Sequence, residues 1–232
     1  ENPAIAASKG AYYCAQKQLI SRFVQIEYEE KYDELKRHEF IDFIDTYSAA
    51  FRRDVFLETG GYDVNFPKAS VEDQEFSFRV ANAGHKMVFV PDARVWHRHV
   101  ESLGDYNRKK YKIGFWKVLV LAKNPNKIKG DSHTPMTLKL QTAMAAVSPL
   151  ALLSGFIFPV LWPAVIAFFA AFIITAIPLT LRCLRQDFPV GLAAPLFIAC
   201  RAGALALGLV RATFQKMTGD QRFNPDAASP TS

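Results

Sequence analysis

Between residues 143 and 181 the chain carries no charged side chain, and this stretch restricts its fold more than any other feature. A membrane-spanning helix needs about 20 apolar residues, and here nearly twice that length runs uninterrupted. Pro159, Trp162 and Pro163 fall near its middle, where a tight turn with an interfacial tryptophan belongs. The stretch therefore predicts a helical hairpin, about 138–158 and 161–181. Arg182, Arg185 and the basic residues ahead of Thr134 bracket it, which places both ends on the cytoplasmic side. Thr134-Pro135 reads as a cap followed by proline at the first helical position. A third apolar segment, 190–210, contains Arg201, a costly residue inside a bilayer. If it spanned, Arg211, Lys216 and Arg222 would land outside, against the charge rule. An element that re-enters or lies in the interface is expected instead.

Acidic and basic residues crowd the first 130 or so positions, so that part reads as soluble. The 28 Lys and Arg exceed the 22 Asp and Glu, for a net charge of +6. The excess fits a protein lying on anionic lipid, and the positive-inside rule accounts for it equally well. Cys14, Cys183 and Cys200 are odd in number and scattered. They argue against a disulfide framework or a zinc site, and for a reducing compartment. The chain opens on Glu1 with neither the basic start nor the apolar core of a signal peptide, so it is expected to be a piece of a longer protein.

Residues 17–39 have the apolar spacing of an amphipathic helix. Residues 40–51 read as a strand entering a loop. A short helix at 52–58 ends at Gly60-Gly61, where left-handed backbone costs little. Ser70 can cap the next helix, which runs to Gly84. Residues 87–90 read as a buried strand stopped by Pro91, followed by a second short strand at 94–97. Residues 106–121 interleave Arg108, Lys109, Lys110, Lys112 and Lys117 with Tyr106, Tyr111, Phe115 and Trp116, as an interfacial helix does. A basic loop ending at Lys129 follows. Only the tail after Asn224 looks disordered.

The chemistry concentrates in Gly60-Gly61-Tyr62-Asp63, Pro67 and Glu72-Asp73-Gln74-Glu75. Three carboxylates share one helical turn just past a glycine-hinged loop. Ser70 to Asp73 matches a capping box, and acids in a first turn complement the helix dipole. A carboxylate at a helix mouth is equally placed to take a proton from an acceptor hydroxyl, and the two readings are compatible.

With Arg52-Arg53-Asp54-Val55-Phe56 before that run and Arg79, Gly84, Pro91 and His97 after it, the chain resembles the inverting, GT-A-fold glycosyltransferases of family 2, in the membrane-anchored bacterial branch. The resemblance extends through the basic-aromatic stretch to Asp131-Ser132-His133-Thr134-Pro135 and into the apolar tail. It implies an α/β fold: the C-terminal portion of a GT-A (nucleotide-diphospho-sugar transferase) domain followed by transmembrane helices. It implies that Asp73 is the general base and Glu72 its supporting neighbour. Gly60, Gly61, Tyr62 and Arg79 would meet donor or acceptor. Arg108, Lys109 or Lys112 would neutralise a phosphate. His97, with His99 as the alternative, would complete a site for Mg2+ or Mn2+ or touch the donor diphosphate. Without the resemblance, a lone histidine at a strand end reads as a hydrogen-bonded residue, and the basic stretch as a membrane anchor.

The implied partners are a nucleotide-diphosphate sugar, a polyprenyl-linked or other membrane acceptor of envelope glycan synthesis, and membrane lipids. No RNA-binding signature accompanies the basic residues, so nucleic acid is not expected. The processive members' Gln-x-x-Arg-Trp motif is replaced by Arg108-Lys109-Lys110-Tyr111-Lys112 and Phe115-Trp116, which argues for a non-processive enzyme. No Asp-x-Asp stands before Glu72; Asp42 and Asp45 are spaced wrongly. The expected organisation is 1–105 as the C-terminal half of the catalytic domain, 106–134 as interfacial segment and linker, 135–215 as membrane region and 216–232 as tail. Such a piece, lacking the donor cradle, is expected to be inactive alone. The rivals are a non-catalytic membrane scaffold and a small transporter subunit, for which Arg201 would be the suggestive residue.

Overall fold

The computed structural model describes residues 2–64, 66, 70–128 and 130–223; Glu1, Pro67, Lys129 and the tail from Asn224 lie outside the described residues. The fold is mixed α/β, with a small sheet, mostly helical content and three long apolar helices at the C-terminal end.

Strand β1, Ile5–Tyr13, is the centre of a three-stranded sheet of order β2-β1-β3. Its small and aromatic residues alternate poorly, and the sequence reading passed over it. β2, Ala49–Phe51, pairs antiparallel with it, Ala7 opposite Phe51. β3, Lys86–Trp96, pairs parallel, Ser8 opposite Val88 and Tyr12 opposite Val95. The expected stop at Pro91 is a correction: residues 86–96 are one strand. The register shifts between Lys9 and Ala11, so a bulge carries Pro91, which cannot donate to a ladder. A side chain at Gly10 would run into the Ala93 carbonyl, which is why the bulge needs glycine opposite it. The expected strand at 40–51 shrinks to β2. Ahead of it, Ile41 bridges to Met87 and a 3₁₀ turn spans Thr46–Ser48.

Helix α1, Leu19–Leu35, covers the sheet with Tyr32 and Leu35. Its opposite face, with Phe23 and Ile26, joins a second core shared with the later helices. α2 is Arg53–Glu58 and α3 is Glu72–Asn82, whose Phe76 and Val80 enter the first core. α4, Leu103–Lys123, is capped by Ser102, whose Oγ accepts from the Asp105 amide at 3.0 Å.

The hairpin has the expected form: α5, Met136–Ile157; a 3₁₀ turn, Pro159–Leu161; and α6, Trp162–Gln186. One detail differs. α5 starts after Pro135, and the Thr134 amide donates to Asp131 Oδ1 at 2.6 Å. Most side chains of α5 and α6 face outward, as lipid-facing helices require.

α7, Phe188–Met217, is one unbroken helix through Arg201. Arg201 is 4% exposed. It donates to Glu27 Oε1 on α1 at 2.6 Å and to Gln141 Oε1 on α5 at 2.8 Å. Glu27 also accepts from the Tyr106 hydroxyl at 2.7 Å and pairs with Lys110 on α4 at 3.4 Å. Burial would raise the Glu27 pKa, but Lys110 and Arg201 hold it down at about 2. One buried carboxylate thus fastens the soluble part to α7, and a partnered guanidinium is the form in which a buried arginine is tolerated. Gly114 of α4 meets the Leu205 backbone, and Gly208 of α7 meets the Tyr111 backbone. Two glycines therefore bring α4 and α7 closer than side chains would permit.

Candidate active site

The glycine loop is strapped to α3. Gly60 and Gly61 have φ of 79° and 63°, the left-handed backbone that their type allows. Arg79 donates to the carbonyls of Thr59 and Gly61, and its Nε reaches Glu75 Oε1 at 2.8 Å. Its guanidinium is committed to the protein and braces the loop. Tyr62 packs its ring on Phe56 and Phe76, centroids 5.5 and 5.2 Å away. Asp63 pairs with Lys123 of α4.

The start of α3 differs from a capping box. Val71 holds the cap position, and the Ser70 hydroxyl has no partner among the described residues. Glu72 Oε2 accepts from the Ser70 amide at 2.6 Å, so Glu72 closes the end of its own helix. Asp73 Oδ1 accepts from the Gln74 amide at 2.8 Å. Ser77 Oγ, one turn on, accepts from the Ile44 amide at 3.0 Å. That bond holds the 41–48 segment against α3 and brings Asp45 beside Asp73.

Asp45 is buried, with Oδ1 at 2.6 Å from Lys9 Nζ and Oδ2 without a partner among the described residues. Lys9 is wholly buried on β1 and also donates to the Tyr12 hydroxyl at 3.2 Å. Burial pushes the Asp73 carboxyl up, and the negative charges of Asp45 and Glu72 push it further, to about 7; the Gln74 and Thr46 amides pull the other way. A carboxylate poised there can accept a proton near neutrality.

His97 stands at the end of β3 with its ring centroid 4.0 Å from Tyr47 and 5.3 Å from Tyr12. Lys109 Nζ lies 3.3 Å from the Tyr47 hydroxyl. A cleft of about 570 Å³ opens beside His97, lined also by Gln16, Lys17, Trp96 and Arg98; Asp73 does not line it. His99 is buried, stacked on Tyr28 and bonded through Nε2 to Gln25 Oε1 at 3.0 Å. Burial lowers the pKa of both imidazoles, that of His99 to about 4, and Lys109 adds to each.

This donor set does not fit a hard divalent cation, which wants several oxygen ligands. His97 faces a ring and an ammonium, and His99 commits its Nε2 to an amide. Among the described residues, no three His, Cys, Asp or Glu side chains converge on a point where a metal ion could sit.

α4 turns its lysines inward selectively. Arg108 is exposed and pairs with Asp105 at 2.9 Å. Lys109 reaches Tyr47, as above. Lys112 points away, toward α7. Lys110 joins Glu27, and Lys117 Nζ donates to Gln74 Oε1 at 2.7 Å, one residue from Asp73. Burial lowers the Lys117 pKa to about 8. Arg108, Lys109 or Lys112 is expected at a phosphate; the sequence alone does not single out Lys117, Lys9 or Asp45, which the fold brings near Asp73. The spacing Tyr106, Lys110, Lys117 places all three on one helical face, a signal that could have found Lys117. Lys9 could have been noticed as a single charge within a strand of small and aromatic residues.

A family model described as Glycosyl transferase family group 2 matches residues 37–181. That span takes in Asp45, the glycine loop, Asp73, His97, α4 and the α5–α6 hairpin. No curated protein matches the chain.

Proposed function

The chain belongs to glycosyl transferase family group 2, and from that premise we propose that Asp73 is the general base of an inverting, non-processive sugar transfer. The acceptor hydroxyl loses its proton to the Asp73 carboxylate as its oxygen attacks the anomeric carbon. The bond from that carbon to the nucleotide diphosphate breaks, the electron pair leaves with the diphosphate, and the configuration inverts. The observation that carries this reading is the placing of Asp73 beside Asp45, which sets its proton affinity near neutrality. Lys117 and Lys109, on the face of α4 turned toward the site, are suited to a phosphate of donor or acceptor. Family members generally use a divalent ion, and these roles of Asp73, Lys109 and Lys117 do not depend on one.

Three apolar helices long enough to cross a membrane support membrane association. We place the catalytic part at the cytoplasmic face of a bacterial inner membrane, where both ends of the α5–α6 hairpin satisfy the charge rule. A membrane-held enzyme favours a lipid-linked acceptor. α7 is assigned to the interface plane. Its buried face packs on α5 and α6 and also on α1 and α4, which carry Glu27, Glu30, Lys31, Lys110 and Lys117, and helices so charged do not accompany a span into hydrocarbon.

The test is Asp73→Asn in the full-length protein. Transfer from nucleotide sugar to endogenous lipid acceptor should fall by at least about a hundredfold, with membrane insertion unchanged. Transfer at the parental rate would refute the assignment.

A further inference from the structure

A second charged cleft lies away from Asp73, where α4 and α7 run side by side toward the C-terminal end. It has a volume of about 210 Å³ and opens to the surface. Tyr111, Phe115 and Trp116 form its floor. Lys112 and Arg211 stand on its rim, and neither has a carboxylate partner among the described residues. Arg211 Nη1 donates to the Tyr111 hydroxyl, at 3.0 Å. Arg222 also reaches the cleft, but Asp220 neutralises it at 2.6 Å. Gln215 Oε1 is buried there with no donor among the described residues. Among the described residues, the cleft thus offers two uncompensated cations for an anion and one unused acceptor for a hydroxyl or ammonium group.

The adjoining surface is apolar. Leu207, Val210, Phe214 and Met217 recur at helical spacing and form an exposed stripe on α7. A free phosphate would use the cations and leave the stripe bare. A phospholipid would use both, with its headgroup in the cleft and its acyl chains along the stripe.

We propose that the α4–α7 cleft binds the headgroup of an anionic phospholipid, with Arg211 and Lys112 on the phosphate and Gln215 accepting from the headgroup alcohol. Aromatic walls beside cations suit the membrane interface, where amphipathic rings and basic side chains gather. A lipid seated there would clamp α4 to α7 and steady the helix that also carries Lys109 and Lys117. The site is separate from the sugar-transfer reading and stands even if Asp73 is not the base.

The experiment uses the detergent-solubilised full chain, titrated with dioctanoyl phosphatidylglycerol while tryptophan fluorescence and the melting midpoint are followed. Dioctanoyl phosphatidylcholine and inorganic phosphate are the comparison arms. Phosphatidylglycerol should saturate and raise the midpoint, and phosphatidylcholine should do neither at the same concentration. Lys112→Ala with Arg211→Ala should weaken phosphatidylglycerol binding about thirtyfold, whereas Arg211→Lys should retain most of it. If the double variant loses its helical circular dichroism, Lys112→Ala alone carries the test with about a fivefold loss. Equal responses to the two lipids, parental affinity in the charge-removed variant, or phosphate binding as tightly as the lipid would each overturn the proposal.

Discussion

Asp73→Asn should do more than stop transfer: it should make the protein more stable above neutral pH. The native carboxyl takes up its proton near pH 7, against 3.8 for the unfolded chain. Below pH 3.8 both states are protonated and the site costs nothing. As pH rises from about 4 to 7 the unfolded state gives up the proton and the native state keeps it, so stability falls. Above 7 the full penalty persists. A difference of that size in proton affinity corresponds to about 4 kcal/mol. Asp73 is only half-buried, and solvent screening reduces the expected figure to about 2 kcal/mol. Asparagine has the same shape, no charge, and an oxygen able to accept from Gln74. Denaturant unfolding followed by circular dichroism at pH 4 and pH 8 measures the difference. The variant should gain about 2 kcal/mol at pH 8 and less than about 0.5 kcal/mol at pH 4. Equal stability at pH 8, or a gain that does not change with pH, would refute the placing of a strained carboxyl beside Asp45. In the parent enzyme, acceptor-limited kcat/KM should rise to a plateau as pH passes about 7.

The other expectations concern the supports around that site. Lys9→Met leaves Asp45 buried and unpaired; it should cost about 3 kcal/mol in an unfolding assay and shift the rising limb of the rate–pH profile to higher pH. Arg201→Met should cost about as much by taking from buried Glu27 its nearest cation and leaving it Lys110 and Tyr106, and adding Glu27→Gln should restore most of the loss; a double variant no better than Arg201→Met would show that the pair is not coupled. Gly208→Leu drives a side chain into the Tyr111 backbone, whereas an added Cβ at Gly203 meets open space. The first should lower the melting point sharply, and Gly203→Ala should raise stability slightly through helix propensity. If the two behave alike, α4 and α7 do not touch where Gly114 and Gly208 place them.

Much of this was legible in sequence because it depends on local order. The turn at Pro159, the left-handed Gly60-Gly61 pair and the helical spacing of α1, α3 and α4 need no distant partner. β1 was missed because its residues, burying both faces against other elements, carry no two-residue alternation. β3 was split at Pro91 because the bulge that accommodates a proline belongs to the pairing with β1. The candidate site was half legible. Asp73 stood out by its position at a helix mouth. Asp45 was judged only by its spacing from Asp42, and its actual relation, to Lys9 at 36 residues' distance, leaves no mark on local pattern.

Composition and order alone determined that this chain has a charged domain followed by an apolar hairpin, because hydrocarbon admits no unpaired charge whatever the tertiary arrangement. Folding alone decided which charges matter. It fixed Arg79 on two backbone carbonyls, buried Arg201 against Glu27, and turned Lys117 inward while leaving Arg108 in solvent. The physical reason is that a side chain's chemistry is set by what surrounds it, and desolvation and neighbouring charge exist only once distant segments have met.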